Sequence, residues 1–298
     1  MTKLRVVVSL PNDNAYQHQQ GIAATSAGEK FGCDVQIMYA NDDSITQSQQ
    51  LLEIVQSRSA AKPDAFLVEP VTATGLPRVA EAAVAAGIGW VISNSDVDYV
   101  SRLRKTSQLP IFTVTQGQRE IGRLQGQQLA ALLPGGGSVL LVEGPSMSSV
   151  AVQRRQGMQS AISPKLQITA LRSKWSEASA EQSVAAWLKL ATSQAERFHL
   201  VAGQTHELAL GARKAFQTAA APEEKARWQE KPFIGIGISN HVKPLIESRA
   251  LTAAVVTSVT MELALKILVQ ACKSKIAPPE HNIIEASSLP DLAALSAR

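Results

Sequence analysis

Halfway through residues 197–216, RFHLVAGQTHELALGARKAF, the hydrophobic period changes. Phe198, Leu200 and Val201 make a short apolar run between a charged residue and Gly203, the pattern of a buried strand. From Glu207 onward, Leu208, Ala209, Ala212 and Ala215 recur at helical spacing, and Thr205 stands where an N-cap is needed. The turn between them, Gly203-Gln204-Thr205-His206, is polar. Open α/β sheets present their ligand groups where the C-terminal end of a strand meets a helix N-terminus. Alone, such a turn is more often a merely structural connection. Its weight comes from recurrence, because the same unit is repeated along the whole chain.

Read in order, strands are expected over residues 4–9, 35–39, 65–68, 88–92 and 110–115, with helices ending at Phe31, running through Leu51, Leu52 and Val55, and over 75–86. Gly32 and Gly87 stand where helices stop. Residues 97–109 lack clear periodicity. The alternation then restarts, with helices over 118–133, 149–162, 180–191, 242–247 and 261–271. Further strands are expected over 138–142, 167–171, 233–236, 251–256 and 282–285. Residues 219–230 read as a polar, Ala-rich loop or helix extension. Gly135-Gly136-Gly137 precedes a strand with no Lys-Ser/Thr behind it, so it reads as a helix stop and not as a phosphate cradle.

Repeated alternation of this kind demands parallel sheets with right-handed crossovers. It is too long for one open sheet. A break near 113–117 divides it into two similar halves, and 298 residues suffice for two domains. The fold class expected is α/β, with parallel sheets in two similar halves.

Several function classes lose ground. The formal charge of +4 is mild, and the basic residues are scattered without interleaved aromatics, so nucleic acid is not indicated. No apolar stretch has the length of a membrane span. The N-terminus runs straight into a strand without the apolar segment and cleavage site of a signal peptide, so the expectation is cytoplasmic as the sequence stands, or periplasmic if the chain was trimmed. Cys33 and Cys272 are far apart and read as buried small apolar residues. The histidines have no metal-ligand spacing, no Gly-x-Ser-x-Gly elbow occurs, and Gly235-Ile236-Gly237-Ile238 is only a fragment of a dinucleotide signature. No catalytic residue, metal or cofactor is expected. Catalytic groups converge in space, so an enzyme would be recognised by turnover where a binder gives only saturation.

The order of elements resembles the type I periplasmic binding proteins of the ribose and galactose kind, and also the effector-binding core of lactose-repressor-type regulators. VVVSLPNDNAY is similar to that family's first strand and loop. FLVEPVTATGLPRVAEAAVAAGIGWVISNSD looks like its strand, polar-Pro corner, helix, Gly-Ile-Pro and strand. IGRLQGQQLAALL is similar to its helix after the first crossover, and RSKWSEASAEQSVAAWL to the segment with its second aromatic. VAGQTHELALGARKAF is close to its Asn-Asp-x-x-Ala-x-Gly helix, and FIGIGIS stands where a Gly-Phe-Asp turn is usual.

The resemblance implies two Rossmann-like lobes with parallel sheets joined by a three-strand hinge, with crossovers near 113–116, 257–259 and 278–281. It puts residues 1–114 and 258–279 in the first lobe, 115–257 and 280–298 in the second, and the ligand cleft between them. It implies a protein that clamps a small polar molecule, sugar-like or a polyol, by hinge closure. An ABC transporter permease or a signalling partner would lie downstream. A repressor-type core lacking its DNA-binding head is the alternative.

Site residues follow from the same resemblance. Asn14 and Tyr16 stand in the first loop, and Trp175 at the second-lobe aromatic; such rings stack on the apolar face of a sugar. Glu69 stands at a polar ligand position. Asn94 and Ser95 occupy the place of the usual Asp-Arg, Thr205 and His206 that of Asn-Asp, Gly237 that of an Asp, and Thr257 that of a Gln or Asn. Val152 stands near a frequent Arg, with Arg154 two residues on. Most side chains that give sugars bidentate hydrogen bonds are therefore replaced. Glu69 is expected as the one charge of the site, favouring a ligand with donors such as a polyol or an amine.

Overall fold

The computed structural model describes residues 3–58, 61–72, 74–95, 97–190 and 193–296. The chain divides into two compact units, residues 1–116 with 259–284 and residues 117–258 with 285–298. Each is built on its own sheet.

In the first unit, β1 (Leu4–Leu10), β2 (Cys33–Tyr39), β3 (Ala65–Val68), β4 (Gly89–Ser93), β5 (Ile111–Thr115) and β11 (His281–Ile283) form a six-stranded sheet in the order β11-β5-β4-β3-β1-β2. All its pairings are parallel. β1 and β3 bury nearly every residue, as strands covered on both faces must. One face packs on α1 (Ala15–Phe31) and α11 (Met261–Ser274), through Ala24, Ala27, Met261, Leu265 and Leu268. The other packs on α2 (Ser44–Gln56), α3 (Pro77–Ala85) and α4 (Val100–Thr106), where Leu51, Val79, Val100 and Leu103 meet Phe66 and Trp90. Gly32, at φ 77°, closes α1 in the left-handed conformation that a helix stop requires.

The second unit repeats the plan. β6 (Gly137–Glu143), β7 (Leu166–Arg172), β8 (Leu200–Gly203), β9 (Phe233–Ile238), β10 (Ala253–Thr257) and β12 (Ser287–Leu289) form a sheet in the order β12-β10-β9-β8-β6-β7. Only the β10–β12 pair is antiparallel among the described residues. One face carries α5 (Gln118–Leu132), α6 (Ser149–Ala161) and α12 (Leu292–Ser296). The other carries α7 (Glu177–Trp187), α8 (His206–Thr218), α9 (Pro222–Gln229) and α10 (Ser239–Glu247).

The expected elements form, with four additions. Residues 97–109, aperiodic in sequence, contain α4, because two buried positions on a two-turn helix are too few to establish a period. Residues 219–230 contain α9. Its Trp228 is fully buried and stacks on Phe216 with ring centroids 4.1 Å apart, so one aromatic anchors an otherwise polar helix. β12 and α12 follow β11 at the C-terminus. The helix expected over 180–191 is α7, and its expected last residue, Ala191, lies outside the described residues, as does Asp96 of the polar tip after β4.

Both sheets have a switch point, where the strand order reverses between β1 and β3 and between β6 and β8. Ligands of open α/β sheets bind off the C-terminal strand ends at such points.

Candidate binding site

At the switch point of the first unit, a cluster of amides surrounds one carboxyl and one phenol. Asn14 caps α1, its Oδ1 accepting from the Gln17 N–H at 3.0 Å, which sets the first turn of the helix. The cap aims Tyr16, Gln17 and Gln20 at the strand ends. Tyr16 Oη accepts N–H bonds from Gln20 at 2.6 Å, Gln116 at 3.0 Å and Asn94 at 3.4 Å. Glu69, just past β3, is buried. Its Oε1 accepts from Gln17 Nε2 at 2.8 Å and Asn94 Nδ2 at 3.2 Å. Gln47 Nε2 reaches from α2 to the Glu69 main-chain oxygen at 2.9 Å and to Ser9 Oγ at 3.0 Å. Gln20 also binds Thr260, accepting its main-chain N–H at 3.0 Å, and Thr260 Oγ1 lies 2.5 Å from Ser93 Oγ.

Burial pushes the Glu69 carboxyl up to about 7, against the two amide donors that favour the ionised form. Asn94 sits at φ 55°, a left-handed conformation that Asn tolerates better than most residues. Ser95 follows it, half-buried. The first-unit residues expected from sequence, Asn14, Tyr16, Glu69, Asn94 and Ser95, thus lie on one strand-end surface. Asn14 serves there as an exposed helix cap, while Tyr16, Glu69 and Asn94 share hydrogen bonds.

In the second unit, Arg154 projects from α6 and is buried. Its Nε donates to Gln118 Oε1 at 2.9 Å and its Nη1 to the Gln204 carbonyl at 2.5 Å. The guanidinium lies 6.0 Å from the centroid of the Trp175 ring. Trp175 is half-buried against the core, and Gly144 leaves it room: a Cβ there would be 2.2 Å from the indole. Gln204 ties the switch point together, accepting from the Gly144 N–H at 3.0 Å and donating to the Ala151 carbonyl at 3.0 Å. Val152, by contrast, is exposed.

Thr205 is the α8 cap, its Oγ1 accepting from the Leu208 N–H at 3.3 Å. His206 Nδ1 lies 3.0 Å from Glu207 Oε2 and 3.4 Å from the Ile236 carbonyl, and its ring is 5.4 Å from that of His241. Burial lowers its pKa from 6.5. The space a side chain at Gly237 would fill is taken by this imidazole, since a Cβ there would lie 2.6 Å from His206 Nδ1. Thr257 is buried at the end of β10, one register position from Gly237. Arg154, Trp175, Thr205, His206, Gly237 and Thr257 all fall on the strand-end surface of this unit.

Sequence reading missed Gln17, Gln20, Gln116 and Gln118, together with Ser93 and Thr260, and named Gln204 only as part of the polar turn before α8. One signal was available. The buried face of α1 is Gln17, Gln20, Gly21, Ala24, Ala27 and Gly28, so its first two members are amides at core-facing helical positions. Each strand-end surface can donate and accept neutral hydrogen bonds beside one half-buried aromatic, Tyr16 in the first unit and Trp175 in the second. Among the described residues no group of three His, Cys, Asp or Glu could hold a metal ion. None of the described helices is long and apolar enough to cross a membrane.

Residues 6–276 match the profile of the periplasmic binding protein domain. The chain belongs to that family. This periplasmic binding protein is also similar to the D-ribose/D-allose-binding protein of Pseudomonas aeruginosa, 30% identical over 121 residues that make up 41% of this chain and 37% of the relative. The match thus spans little over a third of that relative's length. Among solved structures it superposes on a solute-binding protein of an ABC transporter from Bacillus halodurans with bound myo-inositol, at a TM-score of 0.77 and 18% identity, covering 99% of this chain and 98% of the other. It also superposes on a galactofuranose-binding protein at 0.81 and 19%, covering 96% and 94%. For a periplasmic solute-binding protein from Actinobacillus succinogenes with bound D-allose, the values are 0.79 and 16%, covering 99% and 100%. These likenesses establish the fold of two Rossmann-like lobes. The family's members are binding proteins, and binding is the activity to account for here.

Proposed function

We propose that this periplasmic binding protein captures a small polyhydroxylated molecule, a sugar or polyol, and delivers it to a transporter of the ABC type. The observation that carries the reading is the amide cluster at the first switch point. Gln17, Gln20, Asn94 and Gln116 converge there on Tyr16 and Glu69. Amides and hydroxyls offer a hydroxyl-rich ligand both donors and acceptors, and Tyr16 and Trp175 offer ring faces. The relatives support the class, since they are named for ribose, allose and galactofuranose or hold myo-inositol and allose. The family resemblance supports hinge closure as the signal of occupancy. The residues proposed to form the ligand-facing surfaces are Asn14, Tyr16, Asn94 and Ser95 on the first unit, with Glu69 enclosed behind them, and Arg154, Trp175, Thr205, His206, Gly237 and Thr257 on the second.

Handing a solute to a membrane transporter implies work on the outer side of the cytoplasmic membrane. The repressor-core alternative is not favoured, because the matching profile and the superposed structures are those of solute-binding proteins.

The test is a thermal-shift screen of the full chain with D-ribose, D-allose, galactose, myo-inositol, glycerol, nucleosides and amino-acid derivatives, followed by calorimetry on whatever shifts. A ligand that binds the folded chain raises Tm by mass action. A shift with a sugar or polyol is expected. Shifts confined to nucleosides or amino-acid derivatives would replace the ligand class.

A further inference from the structure

The hydrogen bonding of Glu69 is one-sided. Oε1 accepts two N–H bonds, from Gln17 and Asn94, whereas Oε2 is buried and has no hydrogen-bond partner among the described residues. A carboxylate divides its charge between both oxygens, and a buried anionic oxygen without a donor is far costlier than an unpaired neutral hydroxyl. A carboxylic acid is itself asymmetric: its carbonyl oxygen has two lone pairs for two donors, and its other oxygen carries the proton. The one-sided bonding at Glu69 matches what an acid with its proton on Oε2 would show.

Among the described residues, the groups that act on the Glu69 carboxyl are amides and not charges. Gln17 and Tyr16 face this corner from α1, Asn94 from the end of β4, and Gln47 from α2. Of these only Tyr16 is ionisable, as a phenol. Asn94 links the two halves of the cluster, its Nδ2 reaching both Glu69 Oε1 and Tyr16 Oη from a backbone at φ 55°.

We propose that Glu69 works as a neutral carboxylic acid that positions Asn94 and Tyr16 for the ligand, and that its ionisation releases them. The ligand part of this rests on the function proposed above; the protonation state does not. Once ionised, Oε2 must attract a donor, and the amides at hand are those of Gln17 and Asn94. Asn94 then turns away from Tyr16, and the surface that a polyol meets is disordered. Burial pushes this ionisation to about 7, so it falls within the neutral range.

Infrared spectroscopy of the ligand-free chain, titrated from about pH 5 to about pH 9, reads the proton directly. The expected result is a protonated-carboxyl carbonyl band that disappears across neutrality and is missing from Glu69→Gln. Calorimetry with D-allose or another sugar found to bind then reads the positioning. Wild-type affinity is expected to weaken about tenfold or more over the same range, as the competent fraction falls. Glu69→Ala weakens binding throughout. Glu69→Gln, which keeps an oxygen acceptor for the two amides and stays neutral, restores it and removes the pH dependence. A wild type without the band at low pH overturns the neutral acid. A Glu69→Gln protein that binds no better than Glu69→Ala overturns the positioning role and makes the carboxylate a direct ligand contact. If no sugar or polyol binds at any pH, the functional reading falls and the positioning role with it, while the infrared titration still decides the proton.

Discussion

Gly157 on α6 faces the carbonyl oxygen of Arg119 on α5 so closely that a Cβ at Gly157 would lie 1.8 Å from it. The approach is mutual. A Cβ at Gly122 would lie 2.0 Å from the Arg154 carbonyl, and one at Gly126 would lie 2.6 Å from that of Met158. Three glycines thus let two helix backbones touch, and this contact sets where α6 delivers Arg154 to the strand ends.

Gly157→Ala must push these backbones apart, because a main-chain oxygen cannot swing aside as a side chain can. A loss of about 3 kcal/mol or more is expected, at the upper end of overpacking costs. Gly135→Ala, where nothing lies within 4 Å of the added methyl, serves as the control and stays within about 0.5 kcal/mol. Urea unfolding followed by tryptophan fluorescence distinguishes them, since Trp175, Trp187 and Trp228 all report on the second unit and only Trp90 on the first.

Gly144→Ala displaces Trp175 without altering it. The indole must leave the position 2.2 Å from the new methyl, and its approach to Arg154 is lost. The emission of Trp175, isolated in a Trp187→Phe, Trp228→Phe, Trp90→Phe background, shifts to the red, and affinity for a bound sugar falls by about tenfold. Unchanged emission would mean that the backbone yields instead.

Thr205→Ala removes the α8 cap and costs the second unit about 1 kcal/mol, whereas Thr205→Ser keeps the hydroxyl and stays close to wild type. Both are read by hydrogen exchange of the α8 amides. If serine loses sugar binding while preserving the helix, the threonine methyl is a ligand contact.

The two units respond to pH with opposite slopes. Glu69 binds its proton more tightly in the folded chain, up to about 7 against 4.5, so the first unit loses stability as pH rises between these values. The change is on the order of 3 kcal/mol, and Glu69→Gln abolishes it. His206 is shifted the other way, chiefly by burial, so its contribution is present above 6.5 and is lost as pH falls below that value. His206→Asn flattens this slope in the second unit. Hydrogen exchange resolved by unit, at several pH values, checks both.

The repeating strand–helix plan was legible because a buried parallel strand is a short, continuous apolar run, and Val6 to Val8, Ala65 to Val68 and Leu200 to Val201 are such runs. Helix stops at Gly32 and Gly87 were legible because a left-handed residue calls for glycine. α4 and α9 were not, since each depends on one or two buried residues, Leu103 and Trp228 among them, whose burial only the completed core decides. β12 is three residues long and shows no period at all.

The site divides in the same way. Tyr16, Glu69, Asn94, Trp175 and Thr205 could be named from strand ends and family resemblance. The glutamines around them could not, because Gln is ordinarily a surface residue and its burial depends on contacts such as that of Gln20 with Thr260, 240 positions along the chain. What the sequence determined by itself was local: period, breakers and caps, which act over a few residues. Tertiary structure alone decided which amides turn inward, that His206 fills the space left by Gly237, and that Glu69 is enclosed with one oxygen satisfied and the other bare. Desolvation and hydrogen bonding depend on what surrounds an atom in space, and those surroundings are assembled from segments that the linear order keeps far apart.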